Sequence, residues 1–228
     1  MITLNTFHID GAWVAPASSE TMPIRSPATN RQIGTVAMGN AEDADRAVQA
    51  AKRAFETFSM TSKEERLALL RRLAEVTRAR LDDLAHAMTT EMGAPITMSR
   101  AVQADAGIGH LEAFIAALER LDEEEILPNG DILSREPIGV CGLITPWNWP
   151  INQIALKVIP ALAAGATCVL KPSEHTPLSA QVYAEIVHEA GYPAGVFNLV
   201  QGDGPTVGAA LSRHPDVAMM SFTGSTRG

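Results

Sequence analysis

Thr145-Pro146-Trp147-Asn148-Trp149-Pro150 places an asparagine between two indoles and two prolines, and the prolines fix the backbone around it. An amide held in this way can donate its N–H to a developing oxyanion; it can equally cap the helix that follows. Lys171-Pro172-Ser173-Glu174 sets a cation and a carboxylate on one rigid turn. The carboxylate can accept both hydroxyls of an adenosine ribose while the lysine donates to the same sugar, and a plain surface ion pair would read the same. Gly202-Asp203-Gly204-Pro205-Thr206-Val207-Gly208 approximates a dinucleotide fingerprint with one residue too many before its last glycine, and an ordinary strand-to-helix turn explains it as well. Thr223-Gly224-Ser225-Thr226 offers backbone and hydroxyl donors where a helix should begin, a seat for a pyrophosphate.

Each of these segments follows a short apolar run, at 140–144, 167–170, 196–200 and 217–222, and helical stretches are expected over about 150–164, over 177–190 and up to Ser212. That alternation predicts an α/β fold, a Rossmann-like open parallel sheet with crossover helices. In such sheets ligands bind at the carboxyl ends of the strands, so the four segments should converge on one crevice.

The amino-terminal half reads as a helical segment after an extended lead at 7–14 and the turn Ser26-Pro27-Ala28-Thr29-Asn30. Asn40, with Asp43 in the first turn, caps a helix whose Ala44, Ala47, Val48, Ala51 and Phe55 form one stripe. Ser62-x-x-Glu65 is a capping box, and Leu67, Leu70, Leu73, Leu81, Leu84 and Met88 carry one long amphipathic helix to a C-cap at Gly93. A third helix is expected over roughly 98–120, with the acidic run 122–125 as its solvated end. Gly130-Asp131 turns a hairpin between 125–127 and 132–135.

Composition narrows the class of function. The 228 residues carry a formal charge of -8, the wrong sign for gripping nucleic acid without specificity. The six histidines never pair at ligand spacing, so no metal site is expected. Cys141 and Cys168 sit in apolar surroundings without a Cys-x-x-Cys spacing, which fits core positions and a reducing compartment. Pro160 and Gly165 interrupt the longest apolar tract well short of a bilayer span of about 20 residues. The polar start, Thr3, Asn5 and Thr6, lacks a basic-then-apolar leader, and the expected compartment is the cytoplasm.

Taken in order, the four segments closely resemble the aldehyde dehydrogenase superfamily, which shows the same Pro-Trp-Asn-aromatic-Pro turn, Lys-Pro-Ser-Glu, Gly-x-Gly-Pro-Thr and Phe-Thr-Gly-Ser-Thr series. Ile9-Asp10-Gly11-Ala12-Trp13 and Ser26-Pro27-Ala28-Thr29 extend the likeness over essentially the whole chain, which then corresponds to the first half of a family member. The resemblance implies a truncated aldehyde dehydrogenase fold, with an amino-terminal part at 1–121, an oligomerisation hairpin at 122–137 and the cofactor-binding core at 138–228. It implies NAD as cofactor, with NADP as the second option, an aldehyde as substrate, and a homo-oligomer.

By the same likeness Asn148 is the oxyanion amide, Trp149 lines the aldehyde tunnel and Lys157 takes part in a charge relay, although a lysine on an apolar helix also snorkels. Ile144, Thr145, Pro146 and Trp147 border the cofactor, Lys171, Ser173 and Glu174 hold the adenosine ribose, and Gly204 and Pro205 border the adenine. Phe222, Thr223, Gly224, Ser225 and Thr226 form the pyrophosphate loop. The family's general-base Glu and nucleophilic Cys fall beyond Gly228, and neither Cys141 nor Cys168 matches the nucleophile. The chain by itself is therefore expected to be inactive. A non-catalytic dinucleotide-binding or assembly module is the alternative reading.

Overall fold

The chain opens with five short strands, β1 (Ile2–Leu4), β2 (Phe7–Ile9), β3 (Ala12–Val14), β4 (Thr21–Arg25) and β5 (Gln32–Ala37). The computed structural model describes residues 1–226. β2 and β3 are joined by Asp10 and Gly11, both at positive φ (56° and 73°), the two-residue turn whose twist suits a tight hairpin. β4 and β5 pair antiparallel and β1 joins β5 in parallel, so this half holds more strand than its helical periodicity suggests.

Helices follow. α1 (Ala41–Phe58) starts from a reciprocal cap, in which Asn40 Oδ1 accepts from the amides of Glu42 and Asp43 and the Asp43 carboxylate accepts from the Asn40 amide. The Ser62 and Glu65 box opens α2 (Lys63–Ala79) as expected. The single long helix expected to reach Gly93 is instead two, because Arg80 (φ −101°, ψ 14°) departs from helical geometry between α2 and α3 (Leu81–Met92). The Arg80 guanidinium lies at that corner among Asp83, Glu185 and Glu189, and no local periodicity could bring the last two into view. Gly93 does cap α3, in the left-handed region at φ 80°.

The third helix begins earlier than expected, as α4 (Ile96–Met98). It passes through a π-helical stretch, Ser99–Ala104, into α5 (Asp105–Arg120). The acidic run is no mere helix end: Glu123 pairs with buried Arg66, while β6 (Glu124–Ile126) starts within the run and pairs antiparallel with β7 (Ile132–Ser134).

The remaining elements alternate as the sequence predicts: β8 (Val140–Ile144), α6 (Pro150–Ala163), β9 (Thr167–Lys171), α7 (Pro177–Glu189), β10 (Phe197–Leu199), the π-helical turn Gly204–Gly208, α8 (Ala209–Arg213) and β11 (Val217–Phe222). β8, β9, β10 and β11 are parallel, and the six-stranded sheet runs β11-β8-β9-β10-β2-β3. The chain therefore moves outward from β8 through β9 to β10 and then returns to the other side of β8. β8 and β11 flank the point where strand order reverses, the place at which open α/β sheets bind ligands.

Alternate strand residues face opposite layers. Cys141, Leu143, Cys168, Leu170, Phe197 and Leu199 pack with α2, α3, α5, α6 and α7, while Val140, Val169 and Val200 pack with α1 and with Val207 and Leu211. Burial on both faces explains why β8 is a continuous apolar run and why β9 is apolar from Cys168 to Leu170. Each fully buried large side chain here, such as Ile154 or Phe197, contributes about 1.5–3 kcal/mol. Among the described residues no helix is long and apolar enough to cross a membrane.

Candidate cofactor-binding site

The ends of β11, β8, β9 and β10 are laced together beyond the strands themselves. Thr223 N donates to Ile144 O (3.1 Å), Thr145 N to Lys171 O (3.2 Å), and Val200 N to Leu170 O (3.0 Å). The ladder brings the four sequence segments side by side along one edge, with Ile144 and Thr145 buried in its floor.

Beyond Thr145 the chain rises to the rim. Pro146 is half-buried, Trp147 is 54% exposed, Asn148 is exposed, and half-buried Trp149 stands immediately before Pro150, the first residue of α6. No side chain caps α6, so the helix-capping reading of Asn148 does not hold; Pro150 at the first position supplies the fixed φ instead. Lys157, two turns into α6, donates from Nζ to Ser221 Oγ at 2.9 Å across to β11, and burial lowers its pKa. That bond replaces a free snorkelling lysine with a fixed one.

The second segment is not a surface ion pair. Lys171 is only 2% exposed, and its Nζ donates to Pro172 O (2.7 Å) and Gly202 O (3.1 Å). Burial lowers its pKa, with Glu174 and Asp203 pulling the other way. Glu174 is half-buried, its carboxylate 3.8 Å from the Lys171 ammonium and 4.0 Å from the His175 ring, so its lone pairs remain open to donors from a ligand. Ser173 is buried, and its Oγ accepts from the His175 amide (3.3 Å) to fix the turn.

In the third segment Asp203 Oδ1 accepts from Thr206 N (2.8 Å), which starts the π-helical turn. Gly204 and Pro205 are exposed at its opening, and a Cβ on Gly204 would meet no atom within 4 Å, so bare backbone faces the crevice mouth. In the fourth, Phe222 ends β11 with half of its surface exposed, Thr223 is half-buried, and Gly224, Ser225 and Thr226 are exposed. On the α3 side Pro27, Glu91, Met92, Trp147, His175 and Thr176 line a concavity of about 370 Å³.

Three relationships escape sequence reading. Ser221 is the partner of Lys157, Asp203 acts on Lys171, and buried Glu91 receives hydrogen bonds from Leu178 N, Ser179 N and Ser179 Oγ at the start of α7. The signal for Asp203 was present, an Asp ahead of Gly-Pro-Thr at a helix start. Buried His8 and exposed His188 approach to 3.3 Å, and among the described residues no group of three or more metal-ligating side chains comes together.

A parallel sheet with helices on both faces and a glycine-rich rim at its switch point defines the doubly wound α/β class. Residues 13–228 match the model of the aldehyde dehydrogenase family, and the chain belongs to that family. It is 52% identical over 222 residues to 3-succinoylsemialdehyde-pyridine dehydrogenase of a Pseudomonas species, a match covering 97% of this chain and 46% of the relative. The crystal structure of aldehyde dehydrogenase from Bartonella henselae superposes with a TM-score of 0.97 at 47% identity, covering all of this chain and 48% of that one. Aldehyde dehydrogenase C of Pseudomonas syringae, solved with NAD+ and octanal, superposes with a TM-score of 0.96 at 48% identity, covering 98% of this chain and 46% of its own. The chain thus spans about half the length of the relatives it matches.

Proposed function

We propose that this chain is the cofactor-binding half of an NAD-dependent aldehyde dehydrogenase that oxidises an aldehyde to a carboxylic acid. The observation that supports it best is buried Lys171 beside an open Glu174 carboxylate at the switch-point edge, where a ribose has both a donor and an acceptor to meet. The residues fit the cofactor: exposed backbone at Gly204, where a Cβ would meet no atom, admits close approach, and Thr223, Ser225 and Thr226 bring hydroxyl donors for a pyrophosphate. Ile144, Thr145, Pro146, Trp147, Ser173, Pro205 and Phe222 complete the wall. Bound there, NAD supplies the hydride acceptor. A 2′-phosphate would meet the charge of Glu174 where a hydroxyl would meet an acceptor, so NAD is preferred to NADP.

For the reacting half, Asn148 donates its amide N–H to the aldehyde oxygen as negative charge develops, and Trp149 lines the path of the aldehyde. Lys157, its ammonium oriented by Ser221, holds a proton near the crevice. The nucleophile and base come from outside these 228 residues. Burial pushes the Cys141 thiol up to about 11 and Cys168 well above its ordinary value, and both lie inside the core, so neither delivers a thiolate to the crevice. The two free thiols fit a reducing cytoplasm. Exposed apolar residues on the β6–β7 hairpin, Ile126 (77%) and Ile132 (67%), support assembly into a homo-oligomer through that element.

Calorimetric titration with NAD, paired with an assay of aldehyde-dependent NADH formation, tests the reading. Binding without turnover is expected. Turnover abolished only by changing Cys141 or Cys168 would overturn the assignment of the chemistry to residues outside the chain.

A further inference from the structure

The ribose end of the crevice carries two carboxylates for one ammonium, and we propose that Asp203 is a second specificity-determining residue there, acting with Glu174 to reject a dinucleotide bearing a 2′-phosphate. The proposal rests on reading the crevice as a dinucleotide site and adds a residue to it.

The Lys171 side chain runs from the end of β9 against the turn that follows β10. Its Nζ donates to Gly202 O at 3.1 Å, and a Cβ on Gly208 would lie 3.6 Å from its Cδ. Asp203 follows Gly202 directly and is half-buried, with Oδ1 fixed by the Thr206 amide at 2.8 Å, so its charge cannot swing away freely. Glu174 approaches the same ammonium at 3.8 Å. Both carboxylates favour the charged form of Lys171, although burial outweighs them.

The lysine has only one donor left for a ligand. Of its three donors two are committed to the carbonyls of Pro172 and Gly202, and it is almost wholly buried. An incoming phosphate dianion therefore meets a net charge of −1 from these three side chains, with a single buried N–H left on the one cation. A vicinal diol meets no such penalty, because it is uncharged and can use the Glu174 acceptor together with the remaining lysine donor. Glu174 serves both purposes, hydroxyl acceptor and repelling charge; Asp203 serves the second alone.

Asp203→Asn isolates the charge, because asparagine caps a helix start as well as aspartate does. Wild type, Asp203→Asn, Glu174→Gln and the double variant are titrated calorimetrically with ADP-ribose and with its 2′-phosphate, which probe the adenosine end alone. The Asp203→Asn change is expected to leave ADP-ribose affinity within about twofold and to narrow the preference for it by on the order of three- to tenfold, with the double variant narrowing it further than either single change. An unchanged ratio in Asp203→Asn, alongside a ratio that moves in Glu174→Gln, would overturn the role of Asp203 and leave the site intact. Wild-type chain with native circular dichroism that binds neither ligand would overturn the underlying site, and the proposal with it.

Discussion

Lys171 Nζ donates to the carbonyl of Gly202 at 3.1 Å, tying the end of β9 to the turn beyond β10 across 31 positions of sequence. The bond closes the floor of the crevice before any ligand arrives. Replacing Lys171 with methionine keeps the aliphatic stem and leaves the carbonyls of Pro172 and Gly202 without their donor. Unpaired buried acceptors cost about 1–3 kcal/mol. Lys171→Met is expected to lower urea-unfolding stability by about 2 kcal/mol, and an unchanged midpoint would show that the staple contributes nothing.

Glu91 gives the fold a stability that falls as pH rises. Burial pushes its carboxyl up to about 7, against three hydrogen bonds from Ser179 and Leu178 that favour the charged form. The folded state therefore holds a proton that the unfolded chain has lost, between the ordinary value of 4.5 and 7. The contribution is complete below the lower value and declines through the upper one, on the order of 3 kcal/mol in all. Glu91→Gln removes this slope and, by turning an amide donor toward the Leu178 N–H, also destabilises by about 2 kcal/mol. Urea midpoints across that pH window check both effects.

His8 works in the opposite direction. Burial, and then the charge of His188, lower its pKa from 6.5 to about 4, so the unfolded chain takes up a proton that the folded chain refuses. Stability from this group is present above 6.5 and is lost as pH falls toward 4. His8→Phe, which keeps a ring against Trp13 and Phe197, should flatten the acid limb of the stability profile. A limb as steep as that of wild type would assign the acid loss to other groups.

These buried groups mark what was legible in the sequence and what was not. The strand ends could be read because burial on both faces forces uninterrupted apolar runs such as Val140–Ile144, and because turn chemistry such as Pro150 and Asp203 is local. The Asn40 cap and the Ser62 capping box were legible for the same reason, since donor and acceptor lie two or three residues apart. The corner at Arg80 was not, because its guanidinium answers to Glu185 and Glu189 on α7. Nor was the burial of Lys171, because a cation is read as exposed until the carbonyl that receives it is known. The bond from Lys157 to Ser221 joins α6 to β11 and has no counterpart in periodicity.

The β6–β7 hairpin offers a test of assembly. Ile126 and Ile132 pair across the strands on an element whose strand residues are all exposed. Changing Ile126 to Glu and Ile132 to Lys leaves the core untouched and should reduce the mass found by size-exclusion chromatography with light scattering. A wild-type chain that is already a stable monomer would refute assembly through this element.

If the four strand ends form one cofactor site, NAD protects all of them together, and hydrogen–deuterium exchange with and without NAD reads this out. Slower exchange on binding is expected at amides within residues 145–149, 171–174, 202–208 and 222–226, with the β6–β7 hairpin unchanged. Protection lying elsewhere, or confined to one of these segments, would contradict it.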